Sequence, residues 1–174
     1  MSPAIRADAL KPNISTVRRI VASLLFVVAA CSPTPPQSVT YDAGDDAAGI
    51  DSLNARLSQA YRARDPQLYG TVFTDSAVFE WPAFNTVRGR AALETMARTN
   101  WAALADMDLR LDVANRRYAM DHATEFGAFQ QSYRDASGKR MTEFGRYVAV
   151  LTRQPDDRWL MDRFFGFSDS TRPR

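Results

Sequence analysis

The side chains able to do chemistry in this sequence are few in kind. Its 174 residues include one Cys, Cys31, and one His, His122. That scarcity excludes disulfide frameworks and His/Cys zinc sites. No G-x-S-x-G elbow, P-loop or dinucleotide fingerprint is present. Carboxylates, Arg and Tyr remain, which suit acid–base work. Asp135-Ala136-Ser137-Gly138-Lys139 is a hairpin signal, and centring the pairing on Ser137 sets a register. Glu125 then lies opposite Ala149. Glu125, Gly127, Phe129 and Gln131 share a face with Glu143, Tyr147 and Ala149. Through a second turn at Gln154–Asp157, Asp162 also falls near Ala149. A carboxyl desolvated on such a face has a raised pKa and can act as general acid or base. Glu125, Asp162 and Tyr147 are therefore the candidate catalytic residues, and Glu143 a candidate ligand contact. A one-residue slip reverses every face, leaving surface charges or salt bridges with Arg146 and Arg163 as the other reading.

The aromatics Trp81, Trp101, Phe129, Phe164 and Phe165 read either as the lining of a ligand cavity or as plain core. Glu80 alternates with Trp81 and is expected to point away. His122 reads as a solvated or capping residue. Arg116-Arg117 reads as a solvated turn pair, and Arg88 and Arg90 as cover for a helix start.

These side chains need elements to hold them. Ile50, Leu53, Leu57, Ala60 and Tyr61 recur at helical spacing, predicting a helix from about Ala47–Asp51 to just before Pro66. Gln67–Thr74 predicts a second short helix, and Ala77–Trp81 a short strand. Val87-Arg88-Gly89-Arg90 turns into a helix running from Ala91 to about Leu104. From Asp106 the period changes to two. Strands are expected at 106–114, His122–Tyr133, Met141–Thr152 and Arg158–Phe167. Helices followed by an antiparallel meander mean an α+β domain, and a curved sheet under helices leaves one concave opening.

The charges add a constraint. Lys and Arg number 22 against 20 Asp and Glu, a net of +2. Four bases and one acid lie before residue 31, so the rest carries 18 bases against 19 acids. No basic excess marks a nucleic-acid binder. Arg18-Arg19 precede an apolar run, Ile20–Ala30, interrupted only by Ser23. A bilayer span needs ~20 apolar residues, so this run has the length of a signal-peptide core instead. Val17 fits an alternative start that would leave a compact signal. Ser32 to Asp46 reads SPTPPQSVTYDAGDD, a proline-bearing stretch without apolar periodicity and hence an expected tether.

Two resemblances follow. Val28-Ala29-Ala30-Cys31 resembles a bacterial lipobox. That implies cleavage before Cys31 and its acylation, enough chains for stable anchoring. Ser32, rather than Asp, would direct the lipoprotein to the outer membrane, facing the periplasm. The expected layout is then a signal at 1–30, lipidated Cys31 and tether at 31–46, a domain at 47–168, and a flexible tail at 169–174.

The domain resembles the nuclear transport factor 2-like superfamily in its SnoaL-like branch. The resemblance is carried by Arg64-Asp65-Pro66-Gln67-Leu68-Tyr69, Phe73-Thr74-Asp75-Ser76-Ala77-Val78, and Val87-Arg88-Gly89-Arg90-Ala91-Ala92-Leu93. A closing hairpin completes it: Gly145-Arg146-Tyr147-Val148, a polar turn, then Arg158-Trp159-Leu160-Met161. It implies a cone-shaped fold, helices packed on a curved antiparallel sheet, with frequent homodimers through the sheet's outer face. Steroid isomerases of this fold use a Tyr and two Asp, but the matching positions here are Leu57, Trp81 and about Ala149. Scytalone-dehydratase-like members use two histidines, and His122 is alone. No cofactor is implied. The leading expectation is a small, largely apolar ligand in the cone, contacted by Trp81, Trp101, Phe129 and Glu143. The alternatives are a cofactor-free acid–base enzyme and a non-enzymatic interaction module.

Overall fold

A computed structural model describes residues 44–83 and 85–173. The expected signal, Cys31 and most of the tether lie outside the described residues. Among the described residues no helix is long and apolar enough to cross a membrane.

Helix α1 (Gly44–Ala63) lays Ile50, Leu53, Leu57 and Ala60 against the sheet. Arg64 then takes a left-handed φ of 49° and ends the helix. Asp65 starts α2 (Pro66–Gly70), its carboxylate accepting from the backbone N–H of Gln67 at 2.9 Å and Leu68 at 3.0 Å. Those two donors would otherwise be unsatisfied at a helix start, and Pro66 has no N–H to satisfy. β1 (Phe73–Glu80) follows, and β2 (Val87–Arg88) pairs back on it. Gly89, at a φ of 86° open to glycine, turns the chain into α3 (Arg90–Trp101). Four long strands complete the domain: β3 (Ala105–Tyr118), β4 (His122–Arg134), β5 (Arg140–Arg153) and β6 (Trp159–Pro173).

The six strands form one sheet in the order β2-β1-β6-β5-β4-β3. The β4–β5 register is the expected one, with Glu125 opposite Ala149. Asp135 fixes it: its carboxylate caps the turn through Ser137 and Lys139, which holds it below the usual carboxylate range, the Ser137 hydroxyl contributing most.

The structure corrects several expectations. The sheet is mixed, because β1 lies parallel to β6 while every other pair is antiparallel. Phe73 and Thr74 belong to a strand rather than a helix. Segment 169–173, expected as a tail, continues β6, with Thr171 opposite Glu143 and Pro173 opposite Met141. The domain also begins before residue 47. Asp46 is buried, ion-paired with Arg153, and accepts from Trp159 Nε1 at 3.3 Å.

Two bulges alter which side chains face the helices. Between Val113 and Asn115 the β3 register slips by one residue. Leu109 and Leu111 point inward before it, and Arg116 does after it. Between Val150 and Leu151 the β6 partner jumps from Arg163 to Met161, leaving Asp162 as the extra residue. A bulge inserts one residue and so exchanges the two faces of its strand.

Candidate functional site

The inner face of the sheet and helix α1 enclose two carboxylates in different surroundings. Glu125, on β4, is 0% exposed. Asn54, one helical turn from Ile50 on α1, donates to both of its oxygens at 3.0 and 3.1 Å. The Tyr147 hydroxyl donates at 2.7 Å and Arg116 Nε at 2.6 Å. Arg116 reaches on to Asp51 at 2.6 Å. Burial alone would lower the Arg116 pKa, but its bonds to Glu125 and Asp51 outweigh that and raise it. The Tyr147 hydroxyl is raised by burial and then by the Glu125 charge, so it stays protonated. This carboxylate has donors from three directions and a fixed counter-ion.

The cavity lies elsewhere along the same face. A space of about 440 Å³ opens between the helices and the sheet, with Trp101, Met96 and Leu104 on the α3 side. Tyr61 and Tyr69 form its back, packed tilted and edge-on against Trp101 with ring centroids 4.9 and 5.2 Å away. Phe79 and Trp81 come from the end of β1. Trp81 packs on Phe129 at 5.4 Å. Gly166 makes room for it, since a Cβ there would overlap the Trp81 ring. An adjoining inner space of about 30 Å³ is walled by Leu57, Phe129 and Phe164 and shares Tyr61, Tyr69, Phe79 and Trp81 with the larger one. The polar groups at the larger cavity are Gln131, Tyr133, Glu143, Ser168 and Asn100. Glu143 accepts from the Ser168 hydroxyl, and burial pushes its pKa up. Tyr61 and Tyr133 are raised by burial and then by the Glu143 charge, so both stay neutral donors.

The candidate residues thus separate. Trp81, Trp101 and Glu143 line the larger cavity, and Phe129 lines its inner extension. Glu125 and Tyr147 are bonded to each other but line neither space. Asp162 joins neither group. The turn after β5 sets the pairing one residue later than expected, with Arg153 opposite Trp159, and the β6 bulge adds one more, so Phe164, not Asp162, lies opposite Ala149; Asp162 accepts from the Thr74 hydroxyl at 3.0 Å. His122 is exposed and meets Asp121 at 2.6 Å. Arg116, expected as a solvated turn residue, is only 11% exposed at its side chain. Asn54 and Arg116 were missed by sequence reasoning. A polar residue between Leu53 and Leu57 on a buried helical stripe is the signal that could have found Asn54; the bulge that turns Arg116 inward leaves none. Among the described residues no group of three or more His, Cys, Asp or Glu could hold a metal ion.

Leu57 and Ala149 are buried in this face and Trp81 is part of the cavity wall. The three positions matched to the steroid isomerases' polar groups therefore present apolar surface.

Comparison with known proteins agrees with this architecture. The model of the SnoaL-like domain matches residues 43–164. A ketosteroid isomerase-like protein from Erwinia carotovora atroseptica superposes with a TM-score of 0.65 at 16% identity, over 73% of this chain and 98% of that one. A hexachlorocyclohexane dehydrochlorinase from Novosphingobium barchaimii gives 0.64 at 15% identity, over 75% and 90%. A protein of unknown function from Mycobacterium tuberculosis gives 0.64 at 23% identity, over 72% of each. No match is found among the curated proteins. At these identities the likeness to solved structures is one of fold. The chain belongs to the SnoaL-like domain family, within the nuclear transport factor 2-like superfamily.

Proposed function

We propose that this chain is a lipid-anchored envelope domain that binds a small, largely apolar molecule in its cone. One observation carries the reading: an aromatic-walled cavity of about 440 Å³ separate from the buried ion pair at Glu125. Small-molecule sites are concave, mostly apolar and fitted with a few polar groups, and this cavity has that composition. The acid–base alternative loses its leading residue, because Glu125 is saturated with donors and lines neither of these spaces. Native mass spectrometry of the purified full chain tests the binding reading. A bound small molecule, or uptake of naphthalen-1-ylmethanol, is expected; a chain that takes up neither would end it.

The anchor rests on Val28-Ala29-Ala30-Cys31 behind its apolar run. Cys31→Ser should release the protein from membrane fractions, and retention would contradict the anchor. The sheet's outer face carries Phe144 and Phe167, 39% and 44% exposed. Apolar exposure at that face, with the family resemblance, supports a homodimer formed there. Phe144→Ser with Phe167→Ser should then shift the mass in solution from dimer to monomer, and an unchanged mass would exclude that interface.

A further inference from the structure

The larger cavity holds a carboxylate with no resident counter-ion. Glu143 forms no ion pair with Lys, Arg or His among the described residues. Its hydrogen-bond donor is the neutral Ser168 hydroxyl. Arg62, Arg134 and Arg146 are engaged with Asp108, Asp106 and Asp169. Among the described residues no basic side chain lines the cavity. Its walls present the rings of Tyr61, Tyr69, Phe79, Trp81, Trp101 and Tyr133. Aromatic faces carry negative quadrupole density and attract cations, more strongly when desolvated. A half-buried charge lacking a partner is costly, and the upward shift of the Glu143 pKa by burial reports that cost.

We infer that the cavity takes an organic cation, an amine or quaternary ammonium on an apolar ring-sized skeleton, with Glu143 as its counter-ion. The inference rests on the small-molecule reading above and narrows it to one ligand class. The skeleton fills the aromatic walls, and the positive head lies by Glu143 at the polar side formed by Gln131, Tyr133 and Ser168. A neutral ligand of the same shape would gain the same burial but leave Glu143 without a counter-charge.

The polar groups that share the cavity with Glu143 are Tyr61 from α1, Tyr69 from α2, Asn100 and Trp101 from α3, Gln131 and Tyr133 from β4, and Ser168 from β6. Tyr61 and Tyr133 are shifted upward, by burial first, so neither ionises as the pH falls from neutrality. Glu143 is then the cavity group that protonates on acidification. Amine binding should weaken as pH falls through its raised pKa, while binding of a neutral analogue stays level.

The test is a calorimetric titration of the full chain with naphthalen-1-ylmethanamine, a cation at pH 7, and its neutral isostere naphthalen-1-ylmethanol. The amine is expected to bind at least about tenfold more tightly, as one added charge pair in a desolvated site warrants. Glu143→Gln should reduce that ratio to about one by weakening the amine. Equal binding of the two probes by the native chain would overturn the inference while leaving the small-molecule reading intact. A ratio unchanged by Glu143→Gln would overturn it too. Binding of neither probe would overturn the inference, and with no co-purified molecule in the native mass spectrum it would end the small-molecule reading as well. Unfolding of Glu143→Gln is checked by circular dichroism, and Glu143→Asp, which keeps the charge, should retain a preference for the amine; loss of that preference with the fold intact counts against the counter-ion role.

Discussion

Glu125 and Glu143 face the same side of one sheet and have opposite circumstances. Glu125 is enclosed, with donors from Asn54, Tyr147 and Arg116. Glu143 is half-buried beside an open aromatic space, with a single hydroxyl donor and no cation. A buried carboxylate whose lone pairs are all taken has no capacity left for a substrate, and its job is to tie helix to sheet. A carboxylate with spare acceptor capacity at a cavity wall can serve a ligand. Burial and charge partners, not residue type, separate the two.

The largest expected effect is at the saturated end. Arg116→Met leaves Glu125 charged, buried and without its counter-ion, a change that costs about 3–5 kcal/mol in comparable cases. Urea unfolding should show a loss of that order, and a loss below about 1 kcal/mol would mean that the pair does not hold the fold. Tyr147→Phe removes one hydrogen bond to the same carboxylate and should cost about 1–2 kcal/mol. Asp162→Asn lies outside both groups, and its loss should stay within about 0.5 kcal/mol, as for surface changes generally. A larger effect there, or any effect on ligand binding, would return Asp162 to the site. The smallest effect is at Glu143. Its folded pKa is raised above the unfolded value, so its contribution to stability is full below the unfolded pKa. That contribution is lost as pH rises through the folded one. At neutral pH its charge opposes folding, and Glu143→Gln should not lower the unfolding midpoint in urea.

Much of this arrangement was readable in advance. The stripe of Ile50, Leu53, Leu57 and Ala60 gave α1 its buried face because helical period is visible in a single sequence. The β4–β5 register was readable because a tight turn around Ser137 pairs its flanks by simple counting, which placed Glu125 opposite Ala149 and Tyr147 on its face. The rest failed where counting fails. Asp162 was displaced by a turn that pairs its flanks one residue late and then by a bulge at β6, and Arg116 was brought inward by a bulge at β3. A bulge leaves no pattern that a two-residue alternation detects. The long-range partners of α1 were equally hidden: Asn54 lies 71 residues from Glu125 and Asp46 113 residues from Trp159. Asp46 read as tether, and 169–173 as tail, because their pairing depends on strands whose positions only the folded sheet defines. Cavity and core aromatics could not be distinguished from spacing, because both demand the same inward face.

The division of labour is tested most directly by one calorimetric series, titrating naphthalen-1-ylmethanamine into the full chain carrying either Arg116→Met or Glu143→Gln, under conditions where both remain folded. The account predicts that Arg116→Met keeps the native affinity within about twofold while Glu143→Gln loses about tenfold or more. Loss of binding in Arg116→Met with native affinity in Glu143→Gln would contradict it, and would place the ligand at the buried cluster.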